Sequence, residues 1–230
     1  MNLLAIDAAC SVLSAAVAHG EEILYTEAEA GMKHSELVMD LIDGQMKKAG
    51  LKPDDLDGIL CMGGPGSFTG LRIGYSIAKG LALSLSIPFA PVPTLDCIAS
   101  AHSGAGLVLP VIEARKTSFF YALFRNAERL TPDTDADAGQ IAEAISRNAE
   151  KITLTGPAAA LLYSALHEDS RNRLELVYET RGYAKELISI AINKNIFLND
   201  NTAYLYSGPE YVRKTDAEIN LANTQADQRA

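Results

Sequence analysis

The sequence is short of positive charge. It carries 20 lysines and arginines against 29 aspartates and glutamates, a formal net charge of -9. Its average surface therefore repels phosphate backbones, and nucleic acid is not expected as a sole, direct ligand, because such binding rests on neutralising phosphates with basic side chains. Cysteine is scarce as well. Cys10, Cys61 and Cys97 are odd in number and far apart, which argues against a disulfide framework and fits reduced, buried thiols in a cytoplasmic protein. Neither they nor His19, His34, His102 and His167 fall at metal-gripping spacings. Long apolar runs are missing too: no basic segment precedes the first one, and Asp7 cuts it short, so neither a secretion signal nor a membrane span is expected. The stretch from Gly64 to Gly70 does not end in Gly-Lys-Ser/Thr, which removes a Walker loop. Gly66-Ser67 is followed by Phe68 and Thr69 before Gly70, which breaks a Gly-x-Ser-x-Gly elbow.

What is present suffices for a core: 48% of the 230 residues are hydrophobic, enough for one large domain or two small ones. The most informative stretch is 58–85, which reads as strand, glycine loop, helix. Ile59 to Met62 suits a strand buried on both faces, and Gly63, Gly64, Pro65 and Gly66 continue neither regular structure. Thr69 is the expected N-cap. Gly70, Gly74, Ala78 and Ala82 then lay a flat stripe along a helix, Ile73, Ile77 and Leu81 add a second apolar row, and Arg72, Ser76 and Lys79 form a thin polar edge. That is more apolar circumference than one core contact needs, so the helix is either sandwiched within its own chain or offered to a second subunit.

Around this stretch, strands are expected over 3–6, 12–18 and 23–28, the last two antiparallel across the turn His19-Gly20-Glu21. An amphipathic helix over 35–49 places Leu37, Val38, Leu41, Ile42 and Met46 on one face and stops at Gly50. His34 reads as a cap or surface residue, because the residue four positions on is Val38 and no histidine pair forms. Pro88 and Pro91 mark 87–92 as an irregular or edge strand, Thr94 caps a short helix to about Ala101, and a domain boundary falls in the loop 102–106. Strand, acid, turn and hairpin then repeat: 107–113 ends in Glu113, 114–117 turns, and 118–124 returns. The acidic stretch 132–139 reads as a solvated loop. A helix over 140–148, a strand over 152–155, a helix from Gly156-Pro157 through His167, a strand over 174–178 and a helix over 183–197 follow. Residues 204–212 should lie extended against the body, and from Lys214 the chain turns polar.

The run Gly64-Pro-Gly-Ser-Phe-Thr-Gly-Leu-Arg-Ile-Gly74 resembles the signature of the TsaB (YeaZ) family of bacterial tRNA threonylcarbamoyladenosine biosynthesis proteins. Leu4-Ala-Ile-Asp7, His34-Ser-Glu36, and Pro209-Glu-Tyr-Val-Arg213 with Asp216-Ala-Glu218 agree in order, so the resemblance spans essentially the whole chain. It implies an α/β chain of actin-like (Hsp70-like ATPase) fold. Two related mixed-sheet subdomains, 1–104 and 105–214, would precede a polar, flexible tail, 215–230. In that architecture the turn after the first acid wraps phosphates, normally with a glycine two residues on. Here Ala9 takes that place, and where the family has Asp-Ala-Arg this chain has Glu113-Ala-Arg115. The nucleotide site is therefore expected to be degraded, with Asp7 and Ser11 weak cofactor-binding candidates and Asp7 chiefly a turn-satisfying acid.

By resemblance the chain is a non-catalytic scaffold and activator with no tightly bound cofactor. ATP, ADP and metal would belong to TsaD, the catalytic relative that forms a heterodimer with it, and to TsaE, which joins the larger complex. The assembly would transfer a threonylcarbamoyl group to adenosine 37 of tRNA, reached only through the complex, with no membrane involved. The expected partner-binding residues are Leu37, Val38, Leu41, Gly70, Ile73, Gly74, Ile77 and Leu81, and the same surface should form a homodimer when the chain is alone. The alternative class is an enzyme, either an actin-fold ATP-dependent phosphotransferase or a metallopeptidase.

Overall fold

The structure, a computed structural model, describes residues 1–31, 33–115, 117–198 and 202–212. Five strands form the first sheet: β1 (Asn2–Asp7), β2 (Val12–His19), β3 (Glu22–Glu29), β4 (Gly58–Gly64) and β5 (Phe89–Pro93), in the order β3-β2-β1-β4-β5. The first three are antiparallel neighbours, whereas β1, β4 and β5 run parallel. Parallel neighbours need crossovers, and α1 (His34–Ala49) and α2 (Phe68–Leu85) supply them. Val38, Ile42 and Met46 of α1, with Tyr75, Ala78 and Ala82 of α2, bury against one face of this sheet. Gly50, at φ 67°, ends α1 by donating its N–H to the Lys47 carbonyl, as the sequence indicates.

The chain then passes through α3 (Thr94–Ser100) into β6 (Leu107–Arg115), β7 (Ser118–Tyr121), β8 (Phe124–Arg125), β9 (Glu128–Arg129) and β10 (Thr134–Asp137). After α4 (Ala138–Ser146) come β11 (Ile152–Thr155), α5 (Ala159–Ala165), α6 (Glu168–Arg171), β12 (Leu174–Leu176) and α7 (Ala184–Asn193). The second sheet runs β10-β7-β6-β11-β12, with β8 between β6 and β9. Its antiparallel and parallel pairings repeat those of the first sheet in the same places. The repeat of strand, acid, turn and hairpin is thus a duplicated topology, the actin-like arrangement. α7 returns to pack on β1 and β2 beside α3, so Leu187, Ile188 and Ala191 fill the face of the first sheet that α1 and α2 leave open.

Several elements differ from expectation. α2 begins at Phe68, so Ser67 is its N-cap, its Oγ accepting from the Gly70 N–H at 3.2 Å, and Thr69 sits exposed in the first turn. Thr94 does not cap α3. It is the first helical residue, behind Pro93, and its buried hydroxyl has no partner among the described residues. The stretch 132–139 is not a solvated loop: β10 pairs with β7, Ala136 lies opposite Phe119 in the core, and Asp137 and Gln140 cap α4 reciprocally. The helix expected to run through His167 divides, because Leu166 turns extended and His167 becomes the N-cap of α6. The strand over 118–124 is interrupted at Ala122 and Leu123, where the chain shifts into β8. The segment at 204–212 opens in a 3-10 turn, Thr202–Tyr206, before it extends. The polar tail lies outside the described residues. Among those described, no helix is long and apolar enough to cross a membrane.

Candidate functional site

The turn after β1 is where the two halves of the chain meet. The Asp7 carboxylate is wholly buried and accepts the Ala9 N–H at 3.0 Å and the Tyr183 N–H at 2.8 Å. Beside it, Ser14 Oγ accepts the Ala184 N–H at 3.1 Å. Two groups of the first hairpin thereby satisfy free amides at the start of α7. Burial drives the Asp7 pKa up from 3.8 to about 6 against the opposing pull of those two N–H bonds. The folded state therefore holds this proton more tightly than the unfolded chain. The resulting stability is fully present below the ordinary pKa of 3.8 and is lost as pH rises through about 6. The amide resonances of Ala9 and Tyr183 are expected to titrate together with a midpoint near 6. Shifts that move only around the ordinary carboxylate value would contradict this.

The turn itself is pressed against the start of α2. The Ser67 N–H donates to the Ala9 carbonyl at 2.8 Å. A Cβ added at Gly66 would stand 2.7 Å from that same oxygen, and one at Gly70 only 1.9 Å from the Ala8 carbonyl oxygen. Glycine is required at both places because backbone meets backbone. His34 is neither a cap nor a surface residue. Lys33 holds the N-cap position of α1 without a side-chain bond, while His34 is 8% exposed with its Nε2 2.8 Å from the Cys10 carbonyl oxygen, to which it donates.

Outside this turn lies a cleft of about 430 Å³, lined by Ser11, His34, Ser67, Ile112, Glu113 and Pro157 among others. Its lining carries one acid, Glu113, and no lysine or arginine among the described residues. Asp7 lies sealed beneath the turn and Ser11 is exposed on it. Across the cleft, Gly156 at φ 99° packs so tightly that a Cβ would stand 2.6 Å from the Val111 carbonyl oxygen. The described residues contain no group of three or more His, Cys, Asp or Glu side chains able to hold a metal ion.

A second candidate surface faces outward from α1 and α2, which lie side by side on one sheet face. Leu37, Leu41, Ile73, Ile77 and Leu81 are half-buried there. Ile73 and Ile77, with Ser35, Thr69, Arg72 and Ser76, line an open cleft of about 420 Å³. Val38, Gly70 and Gly74 do not belong to this surface. Val38 points into the core, and Gly70 and Gly74 face Ala8, so the flat stripe serves the chain's own turn rather than a second subunit. The segment 204–212, expected against the body, is seated on the other flank of α2, which no sequence pattern specified. Phe68 stacks on Tyr211 with ring centroids 4.8 Å apart, Arg72 Nε donates to the Tyr211 hydroxyl at 3.1 Å, and Lys79 Nζ donates to the Leu205 carbonyl at 2.9 Å. The Glu210 N–H reaches the Gly63 carbonyl at 2.8 Å. The Pro-Glu-Tyr run was the signal for this strap.

Residues 26–221 match the family described as TsaD: tRNA N6-adenosine threonylcarbamoyltransferase. The tRNA threonylcarbamoyladenosine biosynthesis protein TsaB of Bacillus subtilis (strain 168) is 28% identical over 241 residues, covering 98% of this chain and 100% of that protein. The protein of the same name from Escherichia coli (strain K12) is 31% identical over 131 residues, 56% of this chain and 57% of that one. A Pseudomonas aeruginosa protein with similarity to peptidase YEAZ superposes with a TM-score of 0.77 at 21% identity, over 92% of this chain and 99% of that chain, and so shares the fold. The chain belongs to the family described as TsaD: tRNA N6-adenosine threonylcarbamoyltransferase, within its TsaB (YeaZ) branch.

Proposed function

We propose that this chain serves bacterial tRNA N6-threonylcarbamoyladenosine synthesis as a non-catalytic scaffold and activator that dimerises with the catalytic TsaD subunit. The names of its relatives support the pathway. The observation that carries the subunit role is the row Leu37, Leu41, Ile73, Ile77 and Leu81, large apolar side chains of α1 and α2 that are left half-exposed to solvent. An equivalent helix pair on TsaD would complete a four-helix contact, and in its absence a second copy of this chain would do so about a two-fold axis. The cleft supports the non-catalytic part. A nucleotide phosphate there would meet the Glu113 carboxylate with no lysine or arginine among the described lining residues, and Asp7 is already engaged by two amides. On this reading the nucleotide site is degraded, ATP, ADP and metal are handled by TsaD and TsaE, and tRNA is met only within the complex.

The test is threonylcarbamoyl transfer to tRNA by purified TsaD and its upstream enzyme, with and without this chain. Transfer should rise on the order of tenfold or more when the chain is added, and the chain alone should transfer nothing and turn over no ATP. Equal transfer without it, or nucleotide turnover by the isolated chain, would defeat the proposal.

A further inference from the structure

Among the described residues the chain crosses between its two halves twice, at 101–106 from α3 into β6 and at 177–183 from β12 into α7. One side chain ties the two crossings together. His102 of the first has its Nε2 3.0 Å from Oε1 of Glu179 in the second, and because an ionised carboxylate can only accept, the imidazole donates. The same oxygen accepts the Tyr183 hydroxyl at 2.9 Å and the Thr155 hydroxyl at 3.3 Å, while Oε2 accepts Arg181 Nε at 3.1 Å. His102 and Glu179 are mostly buried, their side chains 16% and 17% exposed. Burial works against the charge, but the bonds from His102, Tyr183 and Arg181 outweigh it and hold the Glu179 carboxyl down at about 2. It is therefore ionised at neutral pH.

The groups that meet at Glu179 are anchored in different halves. Thr155 is the wholly buried last residue of β11 in the second sheet, and Gly156 behind it is pressed against the Val111 carbonyl. Tyr183 is fixed to the first sheet by its N–H on Asp7, Gly182 before it gives its N–H to Glu27 of the same sheet, and Arg181 places both terminal nitrogens 3.0 Å from Glu186 Oε1 of α7. The halves also share apolar contact, since Val108, Ile112 and Phe120 of the second sheet pack in one core with Leu187 and Ile188 of α7. Apolar packing is non-directional and lets faces slide, whereas hydrogen bonds to a charged acceptor are directional and fix an angle. We propose that Glu179 is a clasp that locks the two halves at one mutual angle, so that the cleft between them keeps a constant width instead of opening and closing. Two unlinked connections side by side would make a hinge. The bond from His102 to Glu179 joins them and removes that freedom. This is a property of the isolated chain and stands or falls independently of the contact proposed for TsaD.

The test attaches spin labels through Lys33→Cys and Leu161→Cys in a chain whose native cysteines are buried. Both positions are exposed, Lys33 beside His34 on one wall of the cleft and Leu161 in the helix that follows Pro157 on the other. The distance distribution between the labels should be single and narrow in the parent. Glu179→Ala should broaden it or move its centre by about 2 Å or more, and Glu179→Gln, which keeps the shape and loses the charge, should do the same to a smaller but measurable extent. Ile141→Val trims the core of the second half away from both crossings, so it should lower stability and leave the distribution unchanged, which separates a clasp from a general loosening. Should Glu179→Ala fail to fold, Glu179→Gln alone decides. The inference is overturned by a parent distribution that is already broad, by folded Glu179 variants that keep the parent distribution, or by an equal change in Ile141→Val.

Discussion

Replacing Gly70 by alanine is expected to destabilise the protein by about 3 kcal/mol or more, although alanine is the best helix former and the site lies inside α2. The new methyl group would stand 1.9 Å from the Ala8 carbonyl oxygen and 3.1 Å from its carbon. Neither side can retreat cheaply. The turn is held by the Ala9 N–H on Asp7 and by the Ala9 carbonyl on Ser67, and α2 is held by its burial on the sheet. Relief would therefore require breaking the contact that joins the first hairpin to the glycine loop, which is dearer than shifting a side chain. Gly80 is the control, since it lies in the same helix, is exposed, and has nothing within 4 Å of an added Cβ. Gly80→Ala should stabilise by roughly 0.5–1 kcal/mol through the lost flexibility of the unfolded chain. Urea unfolding of the three proteins at equal m-value measures both effects. If the two substitutions move the midpoint in the same direction, the close approach at Gly70 is wrong.

Those two glycines also show what could be read beforehand. The strand, glycine loop and helix over 58–85 were legible because each has its own periodicity, and of the irregular or edge strand that the prolines allowed, β5 takes the edge position. The two-fold repeat was visible in the acids that end β1 and close the expected strand at Glu113. Which side of α2 the small residues face was not legible. A stripe of glycine and alanine permits close approach by anything, and only the return of the β1–β2 turn decides that Ala8 makes it. His34 is a similar case: its bond to the Cys10 carbonyl joins residues 24 apart in the chain, and no helical spacing encodes that. The β10 strand was hidden because its only inward apolar residue is Ala136, too little to show alternation among acids. Ser67 and Thr69 can both cap, and the choice between them turns on where the loop releases the chain.

The second large effect concerns Ile77→Asp. Ile77 sits half-buried on the outward flank of α2, where water still reaches it in the isolated chain, so an ionised aspartate there should cost the fold only about 1 kcal/mol. In the proposed helix-pair contact, that carboxylate would be taken out of water with no base among its cleft neighbours except Arg72. Arg72 is already committed to Tyr211, so pairing with the new acid would release the strap. An unpaired buried charge of this kind should weaken association by about 3 kcal/mol or more, over a hundredfold in Kd. In the proposed homodimer the penalty would fall on both copies. Sedimentation should find the parent dimeric, as proposed, and the variant monomeric, co-purification with TsaD should fail, and transfer to tRNA should drop to the level without this chain. Leu83→Asp separates this from a general loss of surface apolarity: Leu83 is 63% exposed and lies off the row, so the variant should assemble and activate normally. Dissociation by Leu83→Asp with an intact Ile77→Asp dimer would move the contact to another face of α2 and remove the observation on which the subunit reading rests.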